Sequence, residues 1–222
     1  MLEKIVCLPR KPDRDALKIG CFAGLHGDEP AGTLACRELA RWADENPAAW
    51  TGYELHFYPE CNPTGCAAGV RHHAQWDCDL NREFWKGSAI PEVVHLENEL
   101  RRERYDGIVA LHSDDTSDGI YGFVSGDLLS EHVLEPALVA AEKLLPRNLG
   151  AVIDGFRASH GIVKEGYPGI LAAPPEQKPR PLEIVFETPA LRPLPLQVEA
   201  TVVAVQAMLR EYRMLLAYAQ NL

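Results

Sequence analysis

Two side chains that could bind a metal ion stand close together near the start of the chain. His26 and Glu29 are three positions apart, and both follow the apolar run 17–23, which is of strand length. An imidazole and a carboxylate are both good zinc ligands. The carboxyl end of a strand in an open α/β sheet is also where ligands bind. One such pair is weak evidence by itself in a chain with eight histidines.

Two further residues that could take part in metal chemistry, His112 and Glu187, also directly follow short apolar runs. We therefore expect them to reach the same edge of the sheet as His26 and Glu29. A catalytic zinc site needs three protein ligands and one open position for water. Two imidazoles and one carboxylate would supply the ligands, and the spare carboxylate of Glu187 could serve as general base. In the alternative interpretation His112 ends a strand and Glu187 is a surface carboxylate.

The elements that must position these residues alternate between strands and helices. This order predicts an α/β fold, which we expect to be a three-layer α/β/α sandwich around a mixed, mostly parallel sheet. One domain is expected over residues 1–222. Near the C-terminus, apolar residues from Val198 to Leu216 recur at steps of three and four, which predicts a long helix packed on the sheet. A coiled-coil dimer seam is the alternative there. Strands are predicted at 17–23, 53–58, 108–111 and 182–186, and helices at 30–43, 91–104 and 131–145.

Composition limits the classes of function. The 222 residues carry a net charge of −10, which argues against the basic surface that nucleic-acid binding needs. No run approaches the roughly 18 apolar residues of a membrane span, and the first residues do not resemble a signal peptide. None of the six cysteines forms a CxxC pair. We expect reduced thiols in a cytoplasmic protein with a small-molecule or peptide partner, and the sequence leaves the oligomeric state open.

Further motifs lie between the first metal-ligand pair and His112. They are NPTG at 62–65, Arg71, and the DxNR motif formed by Asp79, Asn81 and Arg82. Taken in order with a strand-ending His-Ser and a strand-ending Glu, this pattern over roughly 17–190 resembles the zinc carboxypeptidase superfamily. That superfamily includes carboxypeptidase A-like enzymes, bacterial murein peptide amidases and the succinylglutamate desuccinylase–aspartoacylase branch.

The resemblance implies a role for each matching residue. One zinc ion per chain would be held by His26, Glu29 and His112, with Asp79 orienting a ligand imidazole. Glu187 would take a proton from the attacking water and pass it to the leaving nitrogen. Substrate would be recognised through its carboxylate, and the oxyanion would be stabilised beside the metal. The resemblance implies that Asn81, Arg82 and Ser113 bind the substrate and that Arg71 stabilises the oxyanion. In the alternative interpretation Arg71 is a surface arginine.

The catalytic-site tyrosine of the superfamily has two candidates in this chain. Tyr167 precedes Glu187 at a suitable distance, and Tyr121 is the second candidate. An acidic stretch after His112 has two interpretations, a patch that favours an amine-bearing substrate or a solvated loop. It comprises Asp114, Asp115 and Asp118.

These expectations lead to three functions. The first is hydrolysis of an amide bond beside a free carboxylate, in a peptide or peptide-like substrate that could derive from murein. The second is an N-acyl amino-acid amidohydrolase of the desuccinylase–aspartoacylase type. The short stretch after Glu187 argues against it, because that branch carries an additional C-terminal β-domain. The third, a non-catalytic carboxylate-binding module, would need neither Glu187 nor Arg71.

Overall fold

The structure is a computed structural model that describes residues 2–9 and 15–219. The chain divides into two compact units, each made from two separate stretches of sequence. The first unit comprises 1–112 and 167–183, and the second comprises 113–166 and 184–222. The single domain expected over 1–222 stays a prediction.

The sheet of the first unit has the strand order β1-β3-β2-β4. Strand β2 runs parallel to both β3 and β4, and β1 is antiparallel to β3. Because β2 and β4 are parallel neighbours, their carboxyl ends meet at one edge, where His26 and His112 lie. The strands are β1 (Ile5–Cys7), β2 (Leu17–Ala23), β3 (Tyr53–Tyr58) and β4 (Gly107–Asp114), the last of which runs two residues beyond the unit.

Helices cover both faces of this sheet, so the predicted three layers are present in the first unit. Three buried side chains of α3 pack with Phe22, Tyr58 and Ile108 on one face. On the other face α1 lies so close to β4 that a Cβ on Gly32 would be 2.7 Å from the carbonyl oxygen of Leu111. The helices are α1 (Pro30–Glu45), α2 (Pro63–Ala68) and α3 (Pro91–Glu103), with a 3-10 turn at Leu80–Arg82.

The second unit contains the sheet order β9-β5-β8-β7-β6 and three α-helices. Strand β5 is antiparallel to β9 and parallel to β8, and Tyr121 lies opposite Glu187 in the register. The strands are β5 (Tyr121–Val124), β6 (Val152–Ile153), β7 (Phe156–Ser159), β8 (Ile162–Val163) and β9 (Leu182–Pro189). The helices are α4 (Asp127–Leu129), α5 (Glu135–Ala141) and α6 (Leu194–Ala219), with a π-helical segment at Ser130–Leu134.

The prediction of an α/β fold with a mixed sheet is confirmed. The strands predicted at 17–23 and 53–58 have the observed bounds. The helix predicted at 131–145 is instead a composite that begins at Asp127, passes through the π-helical segment and ends at Ala141. The C-terminal helix is present as α6 and packs mainly against α5. No helix in the described part of the chain is long and apolar enough to cross a membrane.

Candidate active site

Three buried side chains of the first unit converge as the sequence predicts. His26 follows β2, Glu29 immediately precedes α1, and His112 lies within β4. The side chains are nearly inaccessible to solvent, with relative exposures of 4%, 7% and 3%. Nδ1 of His26 lies 2.6 Å from Oε1 of Glu29, and Nδ1 of His112 lies 2.9 Å from its Oε2. The two imidazole Nδ1 atoms are 3.2 Å apart.

This donor set fits a zinc ion. With metal–ligand distances of about 2.0–2.1 Å, neighbouring ligand atoms in a tetrahedral zinc site stand about 3.3 Å apart. Possible ligand atoms of His26, Glu29 and His112 all lie within 4.8 Å of one another, so little movement is needed to surround an ion. Two nitrogen donors and one carboxylate also match the composition of catalytic zinc sites with an open position for water.

A second cluster in the described part of the chain also places metal-binding side chains together: Glu54, His56 and Glu103. Its carboxylates already have cationic partners, however. The Lys18 ammonium donates to Glu103 at 2.8 Å, and the Lys4 ammonium donates to it at 2.7 Å. A metal ion would have to displace both lysines, so we assign the metal site to His26, Glu29 and His112.

The surroundings keep two of the ligands in the ionisation state that metal binding needs. Burial opposes charge on Glu29, but the charges and hydrogen bonds of His112 and His26 hold its pKa well below the usual range. Burial lowers the pKa of His112, which favours the neutral imidazole. Burial also opposes protonation of His26, yet its hydrogen bonds to Asp79 and Glu29 outweigh this and raise its pKa.

Asp79 connects a metal ligand to the DxNR loop. Its Oδ1 lies 3.0 Å from Nε2 of His26 and accepts the backbone N–H of Asn81 at 2.8 Å. Burial raises the pKa of Asp79, but the hydrogen bond and charge of His26 outweigh it and hold the pKa well below the usual range. The anionic carboxylate favours the His26 tautomer that carries its proton on Nε2 and leaves the Nδ1 lone pair for a metal.

Arg71 contacts two carboxylates beside the metal ligands. It donates from Nη1 to Glu29 at 3.2 Å and from Nη2 to Asp79 at 3.3 Å. Its side chain is 44% exposed, so the guanidinium faces solvent while its two hydrogen bonds point inward. Arg71 therefore lies beside the candidate metal ligands, where its charge offsets those of the two carboxylates. Its role in stabilising the oxyanion stays a prediction.

Asn81 and Arg82 extend the site toward the surface. Asn81 is buried, accepts the backbone N–H of Leu171 on Oδ1 at 2.8 Å, and has its Nδ2 3.4 Å from Nε2 of His112. Arg82 donates to the backbone oxygen of Asn81 at 2.8 Å, and its guanidinium lies 4.1 Å from the ring centroid of Tyr167. Within the described ranges, Arg82 forms no ion pair with any carboxylate.

The NPTG motif supports the loop that carries His26. Asn62 is fully buried, donates from Nδ2 to the oxygen of Leu25 at 3.2 Å, and accepts the N–H of Gly65 at 3.0 Å. A Cβ on Gly27 would lie 2.0 Å from the carbonyl carbon of Gly65, so glycine is needed at 27 where these two loops touch. A Cβ on Gly65 would lie 2.3 Å from Nδ2 of Asn62, so glycine at 65 leaves room for that side chain. The motif therefore fixes the backbone between β2 and α1.

Sequence reasoning missed His73, which organises the loop between Arg71 and Asp79. The side chain is buried, and its Nδ1 accepts the backbone N–H groups of Gln75 and Trp76 at 3.2 and 3.3 Å. Its proton is therefore on Nε2, which donates to Glu92 at 3.2 Å. Only its position between two site residues could have signalled this role.

Glu187 belongs to the second unit, where it lies in β9 opposite Tyr121 of β5. The Tyr121 hydroxyl donates to Oδ2 of Asp114 at 2.8 Å. Burial raises the pKa of Tyr121, and the charges of Glu187 and Asp114 raise it further, so the phenol stays protonated. Asp114 also accepts hydrogen bonds from the backbone N–H and hydroxyl of Thr116 at 2.7 Å, so it orders the loop that follows β4.

Ser113, expected to bind substrate, takes part in a buried network of the second unit. Its hydroxyl lies 3.0 Å from that of Thr188 and donates to Oε1 of Gln197 at 3.2 Å. The substrate role of Ser113 stays a prediction, as do the catalytic roles of Tyr167 and Tyr121.

A family model, the succinylglutamate desuccinylase/aspartoacylase catalytic domain, matches residues 16–153. The chain belongs to this family. Within the matched stretch lie the three candidate metal ligands, Arg71 and the DxNR loop, whereas Tyr167 and Glu187 lie beyond it. No curated protein matches the chain.

Solved structures share the fold of this family member. A candidate metallopeptidase from Shewanella amazonensis SB2B superposes with a TM-score of 0.78 at 20% identity, covering 94% of this chain and 81% of the other. A metallo-carboxypeptidase from Burkholderia cenocepacia gives 0.68 at 18% identity, covering 95% and 61%. A metallo-carboxypeptidase from Pseudomonas aeruginosa, in complex with (2-guanidinoethylmercapto)succinic acid, gives 0.67 at 16% identity, covering 96% and 61%. These likenesses establish a carboxypeptidase-like fold. Together with the family match, they confirm the predicted superfamily.

Proposed function

We propose that this protein is a zinc-dependent hydrolase that cleaves an amide bond next to a free carboxylate. The observation that carries the proposal is the double role of the loop at 79–82. Through Asp79 it contacts a candidate metal ligand, and through Arg82 it presents a guanidinium that forms no ion pair in the described part of the chain. The loop thereby places an anion-binding group close to a metal site.

The proposed roles follow from the contacts of each side chain. A zinc ion on His26, Glu29 and His112 would supply Lewis acidity toward the scissile carbonyl and toward water. Arg82 would bind the substrate carboxylate in a two-pronged contact, helped by the amide of Asn81. Arg71, with one face open to solvent, would stabilise the oxyanion.

Proton transfer is assigned to Glu187. This carboxylate would accept a proton from the attacking water and deliver it to the leaving nitrogen. Its place near the carboxyl end of β9 and the superfamily resemblance support the assignment.

A second candidate is hydrolysis of a small N-acyl amino acid, which the family match favours because it names desuccinylase and aspartoacylase catalytic domains. Both candidates need a metal, a carboxylate clamp and a general base. They differ in the acyl group, which is a peptide in one case and a small acid in the other. The succinic acid derivative bound by the Pseudomonas protein supports carboxylate recognition in either case.

The test is a two-by-two comparison of wild type and Arg82→Ala on paired substrates with a free or an amidated carboxylate. Dipeptides, murein fragments and N-acyl amino acids, assayed with zinc-loaded protein, identify the acyl group. A charge-assisted clamp is worth roughly 1.5–3 kcal/mol, so kcat/KM on the free carboxylate should fall about ten- to a hundred-fold. The amidated substrate should be poor already and hardly change. Zinc content should stay at one per chain, as it should in the exposed control His132→Ala. An equal loss on both substrates would contradict the clamp.

A further inference from the structure

The guanidinium of Arg82 is stacked on an aromatic ring. Its central carbon lies 4.1 Å from the ring centroid of Tyr167, and both side chains are partly buried. A long arginine side chain has many rotamers, and a contact with a ring face removes most of them. Because an aromatic face attracts a cation without neutralising it, the stack leaves the charge of Arg82 available for an anion.

The segment that carries Tyr167 is tied directly to the loop that carries Arg82. Leu171 donates its N–H to Oδ1 of Asn81 at 2.8 Å, and Gly169 accepts the N–H of Phe84 at 3.0 Å. A Cβ on Gly169 would lie 2.4 Å from the carbonyl oxygen of Arg82, which shows how closely the two backbones approach. The indole of Trp85 adds a bond to the oxygen of Ala172 at 3.1 Å. The segment that follows Tyr167 is therefore held against the loop of Arg82 by three hydrogen bonds.

We propose that Tyr167 is a positioning residue whose ring holds Arg82 ready for the substrate carboxylate, rather than a residue that acts through its hydroxyl. The proposal rests on the proposed function in that Arg82 must bind that carboxylate. It separates two roles for Tyr167 that sequence position alone cannot distinguish. A positioning ring should affect KM and depend on Arg82, whereas a catalytic hydroxyl should affect kcat and not depend on Arg82.

The test compares Tyr167→Phe with Tyr167→Leu on a substrate with a free carboxylate. Phenylalanine keeps the ring, so kcat and KM should stay within about two-fold of wild type. Leucine removes it, and KM should rise about three- to thirty-fold with kcat little changed, the range expected for losing a cation–π contact. In the Arg82→Ala background, Tyr167→Leu should add no further effect. Tyr218→Leu, at an exposed position on α6, is the control.

A binding measurement keeps this test independent of turnover. N-acetylglycine is titrated calorimetrically into the metal-free and zinc-loaded forms of each variant. The affinities should follow the order expected for KM: Tyr167→Phe should bind it nearly as tightly as wild type, and Tyr167→Leu should bind it more weakly. A large loss of kcat in Tyr167→Phe would overturn the proposal, because it would assign the hydroxyl to catalysis. Unchanged KM and affinity in Tyr167→Leu would also overturn it. If wild type binds N-acetylglycine through Arg82 but hydrolyses no amide, the proposed function fails while the positioning role stands.

Discussion

Nε2 of His26 lies 3.0 Å from Oδ1 of Asp79, so the imidazole edge opposite the metal-binding Nδ1 is hydrogen-bonded to a carboxylate. Among the described residues, the carboxylate of Asp79 has three hydrogen-bond partners: His26, Arg71 and the backbone N–H of Asn81. The carboxylate can therefore set the tautomer and the orientation of the ring at once. Any substitution that removes the charge of Asp79 should therefore weaken metal binding.

Asp79→Asn should weaken zinc binding by about ten- to a hundred-fold, the usual effect of losing such an outer contact. The neutral amide is a weaker acceptor for the Nε2–H of His26 than the carboxylate is, and it can present an N–H to Nε2, which favours the wrong tautomer. Competition with a chromophoric chelator measures the affinity. Asp77→Asn is the matched control, since Asp77 lies in the same loop with its side chain 97% exposed. Equal affinity in Asp79→Asn and Asp77→Asn would remove Asp79 from the metal site.

Glu187→Gln should retain zinc and stability but lose kcat by at least about a hundred-fold, the usual contribution of a general acid–base. The amide keeps the shape of the side chain and cannot accept the proton. The control Glu165→Gln changes an exposed carboxylate and should behave as wild type. Near-normal turnover in Glu187→Gln would assign the base to another group.

The fold and the convergence of the three candidate metal ligands could be predicted because they depend on local patterns. A buried-strand run of seven residues predicts β2, and an alternating segment of six residues predicts β3, both with their observed bounds. The strand-ending positions of His26 and His112 then place both side chains at one edge of a parallel pair. Glu29 could be predicted as the third ligand because it lies three residues after His26, immediately before α1.

The parts that could not be predicted depend on contacts between distant segments. Strands β6 and β8 have two residues each, too few to show any period. The stack of Tyr167 on Arg82 joins residues far apart in sequence, and nothing in either local pattern indicates it. The role of His73 depends on its burial and on loop geometry, which appear only after folding.

A salt-bridge cluster remote from the candidate metal site should stabilise the folded protein more at neutral pH than in acid. Burial opposes charge on Glu103, but hydrogen bonds from Lys18 and Lys4 hold its pKa well below the usual range. Because the folded-state pKa is lower than the unfolded value of about 4.3, these pairs add stability above that value. The gain is lost as pH falls from there through the folded-state pKa.

Lys18→Met should therefore reduce the free energy of unfolding more at pH 7 than at pH 3. Urea denaturation at both values measures the difference. Lys143→Met is the control, since Lys143 is exposed and forms no ion pair among the described residues. A Lys18→Met deficit that is the same at pH 3 and pH 7 would show that the loss comes from packing and not from the ion pairs.

Nδ1 of His73 accepts two backbone N–H groups of the loop between Arg71 and Asp79. His73→Ala removes the acceptor of these two part-buried hydrogen bonds, which costs about 0.5–1.5 kcal/mol of unfolding free energy for each bond lost. The freed loop should also misplace both site residues, so zinc affinity and kcat/KM should fall together. Denaturation, chelator competition and kinetics measure the three effects.

Two comparisons separate the hydrogen bonds of His73 from its bulk. His73→Asn can present an amide oxygen near the position of Nδ1, so it should recover part of the stability and part of the zinc affinity. His72→Ala changes the neighbouring histidine, which is about half exposed, and should have little effect on either. If His73→Ala loses stability while zinc affinity and kcat/KM stay at wild-type values, His73 supports the fold but does not position Arg71 and Asp79. If His72→Ala matches His73→Ala, the loop responds to any substitution and the specific role of the Nδ1 acceptor is wrong.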